Sequence, residues 1–507
     1  MNFSFSPSPR QRRLFTFALV FAAVVAIASA FVFGEKIAVL KGLLALWTFL
    51  VAFGLFSITV FVHEWGHFLA ARRYGLVVER FAIGFGPKIL GWERNGVEYV
   101  LNLFPLGGFV QLPQIAAMDI VEGKSQTAIT DLPPASPWAK GMTAFWGPLF
   151  SFLLACVLAV LVYFLGIPQN QALNTTTIGY IEPDSPAAKA GLQPGDRIVS
   201  IDGKKVERWA GRSGGVAESI VLSIGKKVQV EVERSNQLLK FDIIPEKDPT
   251  MEGLRSLGFE KYFARELVVD MVIKNSPAHQ AGLEKGDRVL SFNDQPIFSS
   301  IQLSKQILVS QGPQKFTYIR DGARHDVFIT PQKAVNHHML MIGVIWKPDE
   351  SQLVNVDPWS MISASVTFIY KTLRALVSHD SGVGFKHLSG PVGIFDKIME
   401  LLSIDWRLVL YFGVILNVNL AIINLMPLPV LDGGHIVLCL IEAIRKRPLP
   451  PKVIYAIQTS FFFALISLIL FVSFYDVRRI KNRVTQPEEK PLEMPRFEET
   501  KEKPVAP

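Results

Sequence analysis

Apolar residues along this chain occur in two textures. One is long and nearly unbroken: "LFTFALVFAAVVAIASAFVFG" at 14–34, then runs at about 43–71, 142–167, 408–428 and 453–475. A helix of about 20 apolar residues crosses a bilayer, so five spans are predicted. The other texture is short and alternating. It fills roughly 240 residues between the third and fourth runs, where period-two patterning bounded by turn residues predicts strands. Arg10, Arg12 and Arg13 precede the first run, which reads as a retained anchor; a signal peptide ending near "AIASA" is the competing reading.

Basic residues orient the spans, because short cytoplasmic loops are enriched in Lys and Arg. With the N-terminus inside, Arg72 and Arg73 fall inside, as does the cluster Arg445, Lys446, Arg447 and Lys452. The alternating region then lies outside. Arg478, Arg479, Lys481 and Arg483 also land outside, against the rule. The segment 484–507, rich in Pro, Glu and Lys, reads as disordered.

The alternating region contains a repeat. "SPAAKAGLQPGDRIVSIDGK" at 185–204 aligns without gaps to "SPAHQAGLEKGDRVLSFNDQ" at 276–295. Each copy predicts a short capped helix ending at Gly191 or Gly282, a Gly-Asp turn and an apolar strand. Each unit closes on a glycine-containing strand, "SLGFE" at 256–260 and "LMIGVIW" at 340–346. The units resemble PDZ domains of the bacterial protease-associated type, which implies capture of peptide termini by strand addition. On that resemblance Leu257, Gly258, Phe259, Ile342, Gly343 and Val344 are candidate peptide-binding positions, with the binding strand last in each unit.

Composition agrees with a membrane protein carrying sizeable water-exposed parts. Of 507 residues, 50% are hydrophobic and 19% charged, below the usual soluble share of about 25%. The net charge of +8 is not gathered into a basic stripe interleaved with aromatics, so nucleic acid is not an expected partner. Two cysteines, Cys156 and Cys439, sit in or beside apolar runs and make no disulfide framework.

Within the second run lies "FVHEWGHFLA". Residues four apart share a helix face, so His63 and His67 can offer imidazoles to one Zn²⁺, with Glu64 placed to accept a proton from water. Ionisable groups inside a membrane span are costly and usually functional. A catalytic zinc takes three protein ligands and keeps one position open. No histidine follows six residues after the second, where Arg73 stands. Glu79, Glu93 and Glu98 lie in a glycine-punctuated stretch that predicts hairpins rather than a helix. A more distant candidate is Asp432 in "NLMPLPVLDGGH" at 424–435, a carboxylate ending an apolar span.

HExxH in one span, LDG at the end of another and PDZ-like units between them resemble the site-2 protease family of intramembrane zinc metalloproteases. The likeness is strongest to its branch of regulators of sigma-E with two PDZ domains, and it runs from about residue 55 to 478. The resemblance implies His63, His67 and Asp432 as ligands of one Zn²⁺ per chain and Glu64 as general base. It implies Asn419 and Asn424 as holders of the substrate backbone. It also makes "GFGP" and "PLGGFV", with Gly107 and Gly108, a membrane-associated β-hairpin that presents substrate as a strand. Two departures stand out: the extra N-terminal span, and Ser151 in "WGPLFS" where the family often has asparagine. Neither is expected to touch the ligands.

The fold expected is a polytopic α-helical membrane protein of about five spans, with that hairpin segment and two tandem extracytoplasmic PDZ domains. Its parts would be an extra N-terminal span at 1–40, the HExxH helix at 41–75, a cytoplasmic-side hairpin region at 76–140 and a span at 141–170. The PDZ units would occupy 175–262 and 263–348, an interfacial amphipathic region 355–404, two spans with the LDG motif 405–477, and a disordered tail 478–507. The function expected is intramembrane cleavage of single-span membrane proteins in a bacterial inner membrane. The resemblance implies an anti-sigma factor already trimmed by a site-1-type protease as substrate, with remnant signal peptides as a second class. The rival readings are a non-catalytic PDZ scaffold and a zinc transporter. An intact Glu64 and polar residues gathered at only two motifs argue against them.

Overall fold

A computed structural model describes residues 36–115, 133, 135–210, 214–261, 267–337, 339–347, 351–447, 449–485 and 495–497. The first predicted span, at 14–34, lies outside them. The described residues form two compact units.

The first unit is built on apolar helices. Helix α1 spans Lys36–Tyr74 and α2 spans Pro137–Leu165, opened by Ser136, whose side chain accepts from the Ala139 amide. Farther on come α8 (Pro391–Ile404), α9 (Trp406–Asn424), α10 (Asp432–Arg445) and α11 (Pro451–Thr485). Among the described residues, four stretches are long and apolar enough to cross a membrane: Leu46–Tyr74, Pro137–Leu165, Trp406–Asn424 and Val453–Arg483. Helix α10, at 14 residues, is too short to span. Helix α11 runs on to Thr485, past the point where the sequence predicts a disordered tail, because Arg478–Arg483 continues a helix-favouring run.

Two strands follow α1: β1 (Arg80–Arg94) and β2 (Val97–Gln111). Both bend, so the pair makes a four-segment sheet. Residues 80–83 pair with 98–101 on one side and 108–111 on the other, while 90–94 pair with 97–101. The segment 108–111 is therefore an edge. Phe68, Ala71, Leu76, Val78, Phe81 and Val97 form a common core that fixes this sheet to α1.

The second unit holds the two repeats. The first comprises β3 (Ile178–Ile181), α3 (Pro186–Ala190), β4 (Arg197–Ile201), α4 (Val216–Val221), β5 (Val228–Arg234), β6 (Gln237–Ile243) and β7 (Phe259–Lys261). The second comprises β8 (Leu267–Val272), α5 (Pro277–Gln280), β9 (Arg288–Phe292), α6 (Ser300–Val309), β10 (Gln314–Arg320), β11 (Ala323–Ile329) and β12 (Val344–Trp346). The second sheet has the order β11-β10-β9-β8-β12. In the first, β6-β5-β4 joins the pair β3-β7 through a bridge from Thr177 to Arg197. In both, the closing glycine strand pairs antiparallel with the opening strand, Phe259 opposite Ile181 and Val344 opposite Val272. Leu257 and Ile342 turn into the cores of their repeats, so what they can offer a peptide is backbone rather than side chain.

Helix α7 (Pro358–Val377) follows the repeats. Trp359, Ile362, Val366, Ile369, Leu373 and Leu376 recur at helical spacing along it. Ile362 and Ile369 are buried, with Met361 and Ala375, whereas Trp359 is 72% exposed and Val366 is also exposed.

Candidate metal centre

Helix α1 places His63 and His67 one turn apart on one face. Glycines bring that face against α2. A Cβ on Gly66 would strike the Trp146 backbone, and a Cβ on Gly147 would collide with the His67 imidazole. This close approach sets the protonation of both rings. His67 Nδ1 is 2.9 Å from the Thr143 carbonyl oxygen, which can only accept, so Nδ1 carries a hydrogen and the neutral ring has its lone pair on Nε2. His63 Nδ1 is 3.0 Å from Ser151 Oγ, and that hydroxyl reaches the Gly147 carbonyl at 3.4 Å. A chain of donors from His63 through Ser151 to Gly147 likewise places the lone pair of the neutral His63 ring on Nε2. Ser151 therefore does touch a candidate ligand, contrary to the expectation from sequence. The motif that carries it lies 88 residues from His63, and only the helix packing joins them.

Asp432 arrives from the other end of the chain. The turn "MPLPVL" ends α9 and delivers Asp432 as the first residue of α10. Gly433 and Gly434 fit because the carbonyls of Leu425, Met426 and Leu428 lie where their Cβ atoms would be. Asp432 Oδ2 is 3.2 Å from His63 Nε2 and Oδ1 is 3.4 Å from His67 Nε2; the two Nε2 atoms are 3.2 Å apart. Ligands about 2.0–2.1 Å from a tetrahedral zinc are themselves about 3.3 Å apart, so this triangle has the size of one face of a zinc site. Asp432 Oδ2 is buried and has no hydrogen-bond donor. An anionic oxygen facing two lone pairs lacks a cation, and His63, His67 and Asp432 form a group able to hold one. Glu98 does not compete for that role, since its carboxylate is engaged by Arg80 at 2.7 Å and Lys88 at 2.5 Å.

Glu64 faces the sheet edge. Its carboxylate accepts from the Val110 amide, and a Cβ on Gly108 would come 3.1 Å from Glu64 Cγ. The edge segment and the candidate base therefore meet. Asn424 Nδ2 lies 3.4 Å from His63 Nε2, and Asn419 Oδ1 is buried with no partner. Sequence reading passed over Asn417, which is fully buried and donates to Thr59 Oγ1 at 3.2 Å and the Gly413 carbonyl at 2.8 Å. It ties α9 to α1 at the level of the motif. The visible signal was its place two residues before Asn419 in an apolar run. The candidate peptide-binding residues Leu257, Gly258, Phe259, Ile342, Gly343 and Val344 are not part of this centre; they belong to the second unit.

The profile of peptidase family M50 matches residues 49–468. The chain belongs to peptidase family M50. This is the site-2 protease family, and the chain is a metalloprotease whose family cofactor is zinc. A Vibrio cholerae protein named as a candidate zinc metalloprotease is 30% identical over 458 residues, covering 85% of this chain and 98% of its own. A Neisseria meningitidis protein with the same description is 32% identical, covering 85% and 99%. The regulator of sigma-E protease RseP of Escherichia coli is 30% identical, covering 84% and 97%. Among solved structures, a PDZ domain from Listeria monocytogenes aligns at 18% identity over 17% of this chain and 93% of its own, with a TM-score of 0.16.

Proposed function

We propose that His63, His67 and Asp432 hold the zinc of this protease, that Glu64 is its general base, and that it cuts single-span membrane proteins within or near the bilayer. The observation that carries this reading is the triangle of Nε2, Nε2 and carboxylate oxygen, each Nδ1 engaged elsewhere, with Glu64 adjoining and bound to a strand edge. Bound there, zinc would supply Lewis-acid charge to a peptide carbonyl and to water. Glu64 accepts the proton of the attacking water and passes it to the leaving amine. The Ser151 hydroxyl and the Thr143 carbonyl hold the two imidazoles in the tautomer that keeps Nε2 free.

A transmembrane helix hides its scissile carbonyls in internal hydrogen bonds, so it must unwind before cleavage. The edge 108–111 offers replacement backbone pairing. The unpartnered Asn419 Oδ1 and the Asn424 amide offer more. The protein is read as resident in a bacterial inner membrane, with the repeats as outward-facing PDZ domains. An anti-sigma-type protein, trimmed first by another protease, is the substrate class we take from the resemblance to regulators of sigma-E.

The test is cleavage of a single-span reporter with a truncated external domain, in membranes. Wild type should cleave, Glu64→Gln should lose about 100-fold or more, and a zinc chelator should abolish cleavage. Equal cleavage by wild type and Glu64→Gln would overturn the assignment of the base.

A further inference from the structure

The groove of the second repeat lies between α6 and β12, the last strand of its sheet. A cavity of about 400 Å³ there is lined by Leu303, Ile307 and Leu308 of α6, by residues 339–346, and by Pro495 on its wall. Pro495 belongs to a three-residue stretch, Pro495-Arg496-Phe497, that is fixed at several points. The Arg496 carbonyl accepts from the Val335 amide at 2.8 Å, and the Arg496 amide donates to Asn336 Oδ1 at 2.9 Å. The Phe497 ring packs on Gly343: one of its edge carbons lies 2.9 Å from where a Gly343 Cβ would sit. Arg496 itself is exposed, whereas Pro495 and Phe497 are half-buried. The contact thus combines two backbone groups of Arg496, bonded to the turn at Val335 and Asn336, with two apolar side chains at the groove.

The first repeat offers a comparison. Gly258 occupies the place of Gly343. Both have positive φ, +74° and +77°, and both pack on the Ser that caps the short helix, Ser185 or Ser276. Among the nearest described atoms, Gly258 meets Ser185 alone, whereas Gly343 meets Phe497 as well as Ser276.

Membrane crossing permits the contact. Two spanning helices, α9 and α11, separate the repeats from the tail, and two crossings return the chain to the side it left. This also accounts for the basic cluster at 478–483, which the charge rule alone would place on the other side. Ten residue steps separate Thr485 from Pro495. A tether this short holds a ligand at an effective concentration of order millimolar, so even a weak three-residue contact is kept filled.

We infer that the second repeat's groove is a peptide-binding site covered in cis by Pro495–Phe497, and that any partner peptide must displace this segment. The inference rests on reading the repeat as a peptide-binding module and not on the peptidase chemistry.

Two measurements on the full chain in detergent or nanodiscs test it. A photo-crosslinking phenylalanine analogue at position 497 should cross-link to 334–346 or 276, read by mass spectrometry; cross-links confined to other regions would overturn the docking. A fluorescent synthetic peptide of residues 491–500, PLEMPRFEET, should bind the chain truncated after Thr485 about tenfold more tightly than the full chain. Phe497→Ala in the full chain should recover most of that gain. Equal binding to the full and truncated chains, or no binding to either, would overturn the inference. A truncated chain that still cleaves the reporter but binds no peptide would sink it while leaving the peptidase reading intact.

Discussion

Buried carboxylates behave differently in the two units. In the repeats, Asp196 and Asp287 are each 1% exposed. Asp196 accepts from Arg234 Nε and Nη2 at 2.6 and 2.7 Å and from the Gln193 amide at 2.9 Å. Asp287 accepts from Arg320 at 2.7 and 2.6 Å and from the Glu284 amide at 2.8 Å. The same arginines also donate to the carbonyls of Gly191 and Gly282, locking each short helix to its sheet, and the carboxylate raises the pKa of each guanidinium through those bonds. Among the apolar helices, Asp476 is likewise satisfied, by the amides of Gly390 and Gly393 at 2.9 Å. Asp432 differs. Its neighbours are two imidazole nitrogens whose hydrogens are committed elsewhere, and Oδ2 has no donor. A carboxylate saturated by its own chain is structural, while one left wanting a positive charge is a ligand.

Exchanging the roles of these residues breaks the comparison most sharply. Asp432→Asn should abolish bound zinc, measured by metal analysis, and lower cleavage by at least about 100-fold, since loss of even an outer partner of a metal ligand costs 10–100-fold. The unit should stay folded. Retention of full zinc by Asp432→Asn would erase the distinction from Asp287.

The converse change is Arg320→Met. It strands the Asp287 charge and should destabilise the second repeat by about 3 kcal/mol, read as an earlier unfolding transition with zinc content unchanged. Arg234→Met should do the same to the first repeat. A drop in zinc in either variant would mean that the two units are coupled.

A smaller effect tests the ring-orienting hydroxyl. Ser151→Ala should weaken zinc binding about tenfold by freeing the His63 ring, while Ser151→Asn, which can still accept from Nδ1 and donate to Gly147, should restore most of it. Equal affinities for wild type and Ser151→Ala would show that the hydrogen bond does not hold the tautomer.

Much of the architecture was legible because it is periodic. Four of the predicted spans, the hairpin after the HExxH helix and the paired repeat all rest on spacing within a few tens of residues. The capping serines were also readable, since Ser185 and Ser276 each accept an amide three residues on. The Gly-Asp-Arg motif was visible but its partner was misleading: the arginine that clamps each aspartate is not the adjacent Arg197 or Arg288 but Arg234 or Arg320, from a later strand. The tail was read as disorder from composition, which cannot report that three of its residues meet a groove.

By itself the sequence determined the apolar spans, the shared face of His63, Glu64 and His67, and the duplicated unit, because local periodicity dictates which residues share a helix face or a strand. Only the tertiary structure decided the geometry of the third candidate ligand, the partner of each histidine Nδ1, the contact of Ser151 and the residues that meet the second groove. Those depend on pairs such as His67 with Thr143, 76 residues apart, and Asn424 with His63, 361 apart. Glycines at helix crossings and turns brought them within hydrogen-bonding distance, and no local pattern records which distant backbone a glycine is there to admit.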